Sequence, residues 1–195
     1  MRMIRHLTVA ARQLKQRAIQ RILRHRILAL NPTLTCDGSA IWDYAYNAPD
    51  SIKIGENVCV RAFCEIVVYR RTTHSSIEGK LVLGDHALIS TGVNIRAAGG
   101  SIAIGAHTAI SQHCVLIAAN HAVVPGQRYI NTKWDESRTG IEIGENVWVG
   151  ASCVILPGSK IGDNCVIAAG SVVNGEIPPN EIWGGVPARK IRDVA

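Results

Sequence analysis

The chain has 195 residues, 47% of them apolar, yet only 5% are aromatic and there is a single Phe. Its core must therefore be built from Val, Ile, Leu and Ala, a mixture that suits stacked strands better than a helical bundle. No run of eighteen apolar residues is present and the start lacks the apolar stretch and cleavage site of a secretory signal, so a cytoplasmic protein without a membrane-crossing helix is expected.

The net charge of +6 is unevenly placed. Residues 1–35 hold eight basic residues (Arg2, Arg5, Arg12, Lys15, Arg17, Arg21, Arg24, Arg26) and no acid, leaving 13 basic against 15 acidic residues in the remainder. In this head Ile4, Leu7, Ala11, Leu14, Ala18 and Ile22 keep a helical spacing, which predicts a basic amphipathic helix over residues 1–32, ended by Pro32. Two readings stand side by side. The helix caps the solenoid that follows or packs between copies, or it lies on anionic lipid as a peripheral contact through residues 1–30. No nucleic-acid-binding module is recognisable, so nucleic acid is not an expected partner.

A six-residue rhythm begins near residue 50. Aliphatic triplets fall at Ile54/Val60/Ile66, Leu83/Ile89/Ile95, Ile104/Ile110/Leu116, Ile143/Val149/Ile155 and Ile161/Ile167/Val173, with Gly after the first member of each. Four residues after an aliphatic comes a compact side chain such as Val58, Ala87 or Thr108, and Cys64, Cys114, Cys153 and Cys165 share this slot. This is the pattern of a solenoid of short strands in which aliphatic and compact residues point inward. The glycines are expected to turn the corners. The six Cys form no C-x-x-C pair, so they read as reduced filler thiols.

Three hexads make a turn of 18 residues, as between Ile143 and Ile161. Against that measure 11 extra residues lie around Arg70–Lys80, 3 around Ala97–Gly100 and 21 after His121. Long departures from a compact repeat are usually functional or disordered. By register Asn120 takes the inward slot, so His121 points outward at a corner, where an imidazole suits a general base. The loop 122–142 carries Arg128, Tyr129, Trp134, Asp135, Glu136 and Arg138, a mixture suited to a polar acceptor such as carbohydrate.

With these triplets and the ending "IGDNCVIAAGSVVNGEIPPNEIWGGVPARKIR", the chain resembles the hexapeptide-repeat acyltransferases over residues 50–192. Within them it is similar to the maltose/galactoside and surface-polysaccharide O-acetyltransferases. The resemblance implies an all-β solenoid, a left-handed parallel β-helix spanning residues 33–180 with the protruding loop 122–142. An N-terminal helix precedes it, and a C-terminal tail, residues 181–195, lies on the coenzyme A side. It implies a homotrimer that transfers an acetyl group from acetyl-CoA to a sugar hydroxyl, with His121 matching the catalytic base. The matching cofactor positions are Ala151, Ala169, Arg189 and Arg192. A solvated tail is the other reading of the two arginines. Trp148 either lines the cleft or covers a corner.

The acceptor-positioning residue of the galactoside enzymes falls near Ser90, with Asn94 a neighbouring substitute. Tyr129 and Trp134 belong to the loop that walls the site or clasps the trimer. Asn174-Gly175 stand where the galactoside group has a basic cofactor contact. The zinc-binding carbonic anhydrases of this fold are not matched, because His107, His113 and His121 lack their close histidine pair, so no metal is expected. Acetyl transfer to an antibiotic and a catalytically silent trimeric scaffold are the alternatives.

Overall fold

The computed structural model describes residues 2–45 and 48–194, with side chains from Leu14 onward. Six coils of short parallel strands stack into a three-faced solenoid. Face one begins with Thr35–Cys36, face two with Ile41–Tyr44 and face three with Ile52–Ile54, and each later coil adds one strand to each face in that order. The register is that of the hexads. Val60 pairs with Ile89, Ile89 with Ile110, Ile110 with Val149 and Val149 with Ile167. Aliphatics therefore stack on aliphatics, and fourteen of the fifteen hexad positions are buried, Ile54 being half-buried. Shortening one of these to Ala costs about 2–5 kcal/mol. The compact slots are also inward, and Cys64, Cys114, Cys153 and Cys165 are fully buried beside them.

The repeated glycines do a different job from the expected one. At Gly55, Gly84, Gly105, Gly144 and Gly162 a Cβ would collide with the coil above; at Gly105 it would lie 2.3 Å from the carbonyl oxygen of Gly144. They are needed for close backbone approach. The turn itself is made two residues later by Asn57, His86, His107, Asn146 and Asn164, all with φ between 55° and 58°. Asn and His are enriched in that left-handed region. This gives His86 and His107 a structural place, with their rings stacked 4.9 Å apart. His113 is likewise a corner residue, at φ 60°.

The first helix, Arg2–Leu30, lays its second half across the open end of the first coil. Leu23 and Ile27 are buried. Tyr44 donates its hydroxyl to the Leu23 carbonyl at 3.0 Å, and Gln20 accepts the Trp42 amide at 3.0 Å. Arg24 donates to the Gly38 carbonyl. The capping reading thus holds for the second half. Side chains before Leu14 lie outside the described residues, among them those of Ile4, Leu7 and Ala11. Among the described residues no helix is long and apolar enough to cross a membrane. At the other end Glu181–Gly185 continues face one, and Ala188–Asp193 folds back on it antiparallel.

Candidate active site

His121 stands where face two runs out. The strand Val115–Ile117 buries Leu116, and Ala118 points inward two residues later. The chain then leaves the coil, which corrects the expected register: Asn120 is exposed, not inward. It pairs with Asp135, and His121 with Trp134, in a two-stranded antiparallel ribbon. The excursion is closed at its base, because Gly140 donates its amide to the Ala118 carbonyl at 2.7 Å. His121 is therefore exposed yet carried on a hydrogen-bonded ribbon rooted in the rigid coil.

All three insertions meet at this corner, between faces two and three. From the longest, Tyr129 and Trp134 flank His121, with ring centroids 6.2 and 6.0 Å away. From the 11-residue insertion His74 reaches the same ring at 6.0 Å and stacks on Trp134 at 5.9 Å. The shortest insertion supplies Gly99, where a Cβ would fall 2.3 Å from Trp134 Cε3, so only glycine lets the indole lie there.

Hydrogen bonds tie the two larger insertions together. The Trp134 amide donates to the His74 carbonyl at 2.9 Å, and Lys133 Nζ to the Thr73 carbonyl at 2.6 Å. The Glu136 carboxylate accepts from Ser75 Oγ at 2.7 Å and from the Ser76 amide at 2.6 Å. The Ser75 and Ser76 donors hold that carboxyl below the usual glutamate range. His74 and Gly99 were missed as site residues in the sequence, although both lie in segments that the broken period marks.

The remaining candidates gather elsewhere. Ser90, Asn94, Ala151 and Ala169 lie at or beside the corner between faces one and two. Ala151 and Ala169 occupy the same corner in adjacent coils, where Ala151 accepts the Gly170 amide at 2.8 Å. Asn94 donates to Glu65, which also pairs with Arg96 at 3.3 Å. Arg189 is opposite Gly184 and Arg192 opposite Ile182 in the C-terminal ribbon, which Lys190 braces by a 2.7 Å pair with Glu181. Trp148 lies on the outside of face one, 58% exposed, its indole donating to Ser111 Oγ at 3.1 Å. Within one chain, then, Ser90, Asn94 and the cofactor candidates do not meet His121. Ser90, Asn94, Ala151 and Ala169 stand across the width of face two from it, while Trp148 lies on face one and Arg189 and Arg192 in the ribbon beyond that face.

The buried thiols Cys64, Cys114, Cys153 and Cys165 are out of reach of a substrate, all of them 0% exposed. Cys114, facing Cys153 and cut off from water, is pushed far up, and its Sγ donates to the Gly150 carbonyl at 3.1 Å. Thiolate is the reactive form of cysteine, and His121 stays the candidate base of the insertion corner.

Residues 140–175 match the family model described as bacterial transferase hexapeptide (six repeats). The chain is 36% identical to the putative colanic acid biosynthesis acetyltransferase WcaF of Escherichia coli, over 72% of its own length and 69% of that protein. It is 39% identical to the galactoside O-acetyltransferase of Escherichia coli over 48% of its length, and the match spans 45% of that relative. Among solved structures, a galactoside acetyltransferase in complex with coenzyme A superposes with a TM-score of 0.53 at 28% identity, covering 87% of this chain and 68% of that one. The unbroken hexads, the parallel three-faced solenoid and these relatives agree: the chain belongs to the hexapeptide-repeat acyltransferases, proteins of the left-handed parallel β-helix fold.

Proposed function

We propose that the protein is an acetyl-CoA-dependent O-acetyltransferase that works as a homotrimer on a sugar hydroxyl in surface-polysaccharide assembly. The observation that carries this reading is the convergence of all three insertions on His121. Its setting favours a side chain that must be both reachable and held still. His121 takes the proton of the acceptor hydroxyl, and the oxygen attacks the thioester carbonyl of the donor. The tetrahedral oxyanion is met by a backbone amide, assigned to Ala151. The carbon–sulfur bond then breaks, and His121 returns its proton to the departing sulfur. No charge is left on the protein at the end of the cycle.

The split of candidates between two corners supports the trimer. A donor lying along the corner of Ala151 and Ala169 is far from His121 of the same chain, so the base comes from the neighbouring copy. Arg189 and Arg192 suit the phosphates of the donor through forked, charge-assisted hydrogen bonds. The polysaccharide setting follows the WcaF relative, a putative colanic acid biosynthesis acetyltransferase. Sedimentation equilibrium should give three chains, and a monomer that turns over acetyl-CoA would refute the shared site. The acceptor class is tested by following thiol release from acetyl-CoA with a panel of glycosides and nucleotide sugars. Sugar-dependent release with an acetyl ester product is expected, and release driven only by amino sugars or antibiotics would overturn it.

For the head, exposed Leu14 and Ile22 beside Arg17 and Arg21 favour contact with anionic lipid. Flotation with phosphatidylglycerol vesicles should retain the full chain and lose one lacking residues 2–19. Equal flotation of the two would remove the membrane reading.

A further inference from the structure

Two hydrogen-bonding atoms beside His121 have no partner among the described residues. Nδ1 of His74 lies 3.3 Å from the Thr132 carbonyl oxygen. A carbonyl can only accept, so Nδ1 carries the hydrogen and Nε2 of the neutral ring keeps its lone pair. The second atom is Nε1 of Trp134, a donor buried with no hydrogen-bond partner. Buried polar atoms are rarely left unpaired, and an orphan donor beside a candidate base points to a group that arrives with the substrate.

Both residues line one hollow, together with Ser75, Ser76, Lys133 and Glu136. Its two charged side chains are hydrogen-bonded to neutral groups. Glu136 accepts from Ser75 and Ser76, and Lys133 donates to the Thr73 carbonyl. These bonds hold the two side chains in place without removing their charges, and the rest of the hollow is uncharged. It offers one neutral acceptor, one neutral donor and an aromatic wall. A hydroxyl gives one hydrogen bond and takes another, and it matches that pair.

Resting on the reading of His121 as the base, we propose that this hollow is an acceptor subsite. A second hydroxyl of the sugar donates to Nε2 of His74 and accepts from Nε1 of Trp134, while the hydroxyl to be acetylated sits at His121. His74 and Trp134 each lie 6.0 Å from His121 by ring centroid. A hydroxyl held between His74 and Trp134 and a second one at His121 then belong to the same sugar ring. His74 is then a specificity-determining residue, and the 11-residue insertion exists to present it.

The test is an analogue cycle on kcat/KM, with acetyl-CoA as donor. The acceptors are 4-nitrophenyl β-D-galactopyranoside, the β-D-glucopyranoside and the monodeoxy derivatives of each. The wild type should lose about three- to tenfold on the one analogue that lacks the second hydroxyl, the size of a neutral hydrogen bond. His74→Phe keeps the stack on Trp134 but removes the lone pair. It should lose a similar factor on the parent sugar and nothing further on that analogue, while still discriminating the others. Trp134→Phe should behave alike. A His74→Phe variant that slows every acceptor by one common factor, or none, would overturn the proposal. Unchanged circular dichroism and coenzyme A affinity establish that the variant is folded, and His74→Asn serves in its place if it is not. The outcomes separate the two readings: turnover that survives His121→Ala sinks the base, and additive losses in the cycle sink only the subsite. If the wild type acetylates neither glycoside nor any derivative, both fall.

Discussion

Gly99 and Trp134 are in contact so close that a Cβ on the glycine would lie 2.3 Å from Cε3 of the indole. Gly99 also holds φ at 64°, and Ala119 closes the far side, its Cβ 3.2 Å from where the new one would stand. Replacing Gly99 by Ala should cost about 1–2 kcal/mol from the left-handed backbone alone and push the indole off its seat. The expected result is a lowered Tm, a red-shifted Trp emission and a loss of activity larger than the loss of stability explains. Unchanged emission would show that the indole is not fixed by this contact.

The repeated glycines make a second prediction through a contrast. Gly105→Ala sets a methyl against the backbone of the next coil and should destabilise by about 1–3 kcal/mol as an overpacked site. Gly126→Ala, at φ 77° with nothing within 4 Å, should cost only the backbone term of about 1–2 kcal/mol and leave the solenoid intact. Chemical denaturation of both variants measures the difference. A Gly105→Ala variant as stable as the wild type would show that close backbone approach does not require the glycine.

A third prediction concerns acid. The Glu136 carboxyl is held below its ordinary value by Ser75 and Ser76. A carboxyl depressed in the folded state stabilises it above its unfolded pKa, and the contribution fades as pH falls through the depressed folded value. The clasp between residues 73–76 and 133–136 should therefore hold at neutral pH and loosen below the usual glutamate range. Hydrogen exchange of the Ser76 amide, which donates to this carboxylate, should show it. Glu136→Gln should remove the acid dependence and raise the acceptor KM. Exchange of Ser76 with the same pH dependence in both proteins would contradict the clasp.

Much of this architecture was legible because a hexad pattern leaves little freedom. Once Ile143, Val149 and Ile155 repeat at intervals of six, strand positions and inward faces follow. The break after His121 was also legible, since 21 extra residues cannot fit inside a coil. What the period could not give was the path beyond the break. Asn120 keeps the arithmetic of the inward slot but leaves the coil, because the antiparallel pairing with Asp135 wins over the solenoid register. The role of Gly was misplaced for a related reason. Spacing shows that a small residue recurs, and only the neighbouring coil shows that backbone contact demands it. His74 was hidden because its partners, Thr132 and Trp134, lie about sixty residues away in sequence.

The most direct test of the account is the removal of one imidazole. Acetyl transfer to the best acceptor of the glycoside panel should be compared in the wild type and in His121→Ala, with coenzyme A affinity measured by calorimetry on both. His121 is exposed and outside the core, so the fold and the coenzyme A affinity should be retained. The account predicts a fall in kcat of about 10²–10⁴-fold, the range of a lost general base. A variant that still transfers acetyl groups within about threefold of the wild-type rate would contradict it.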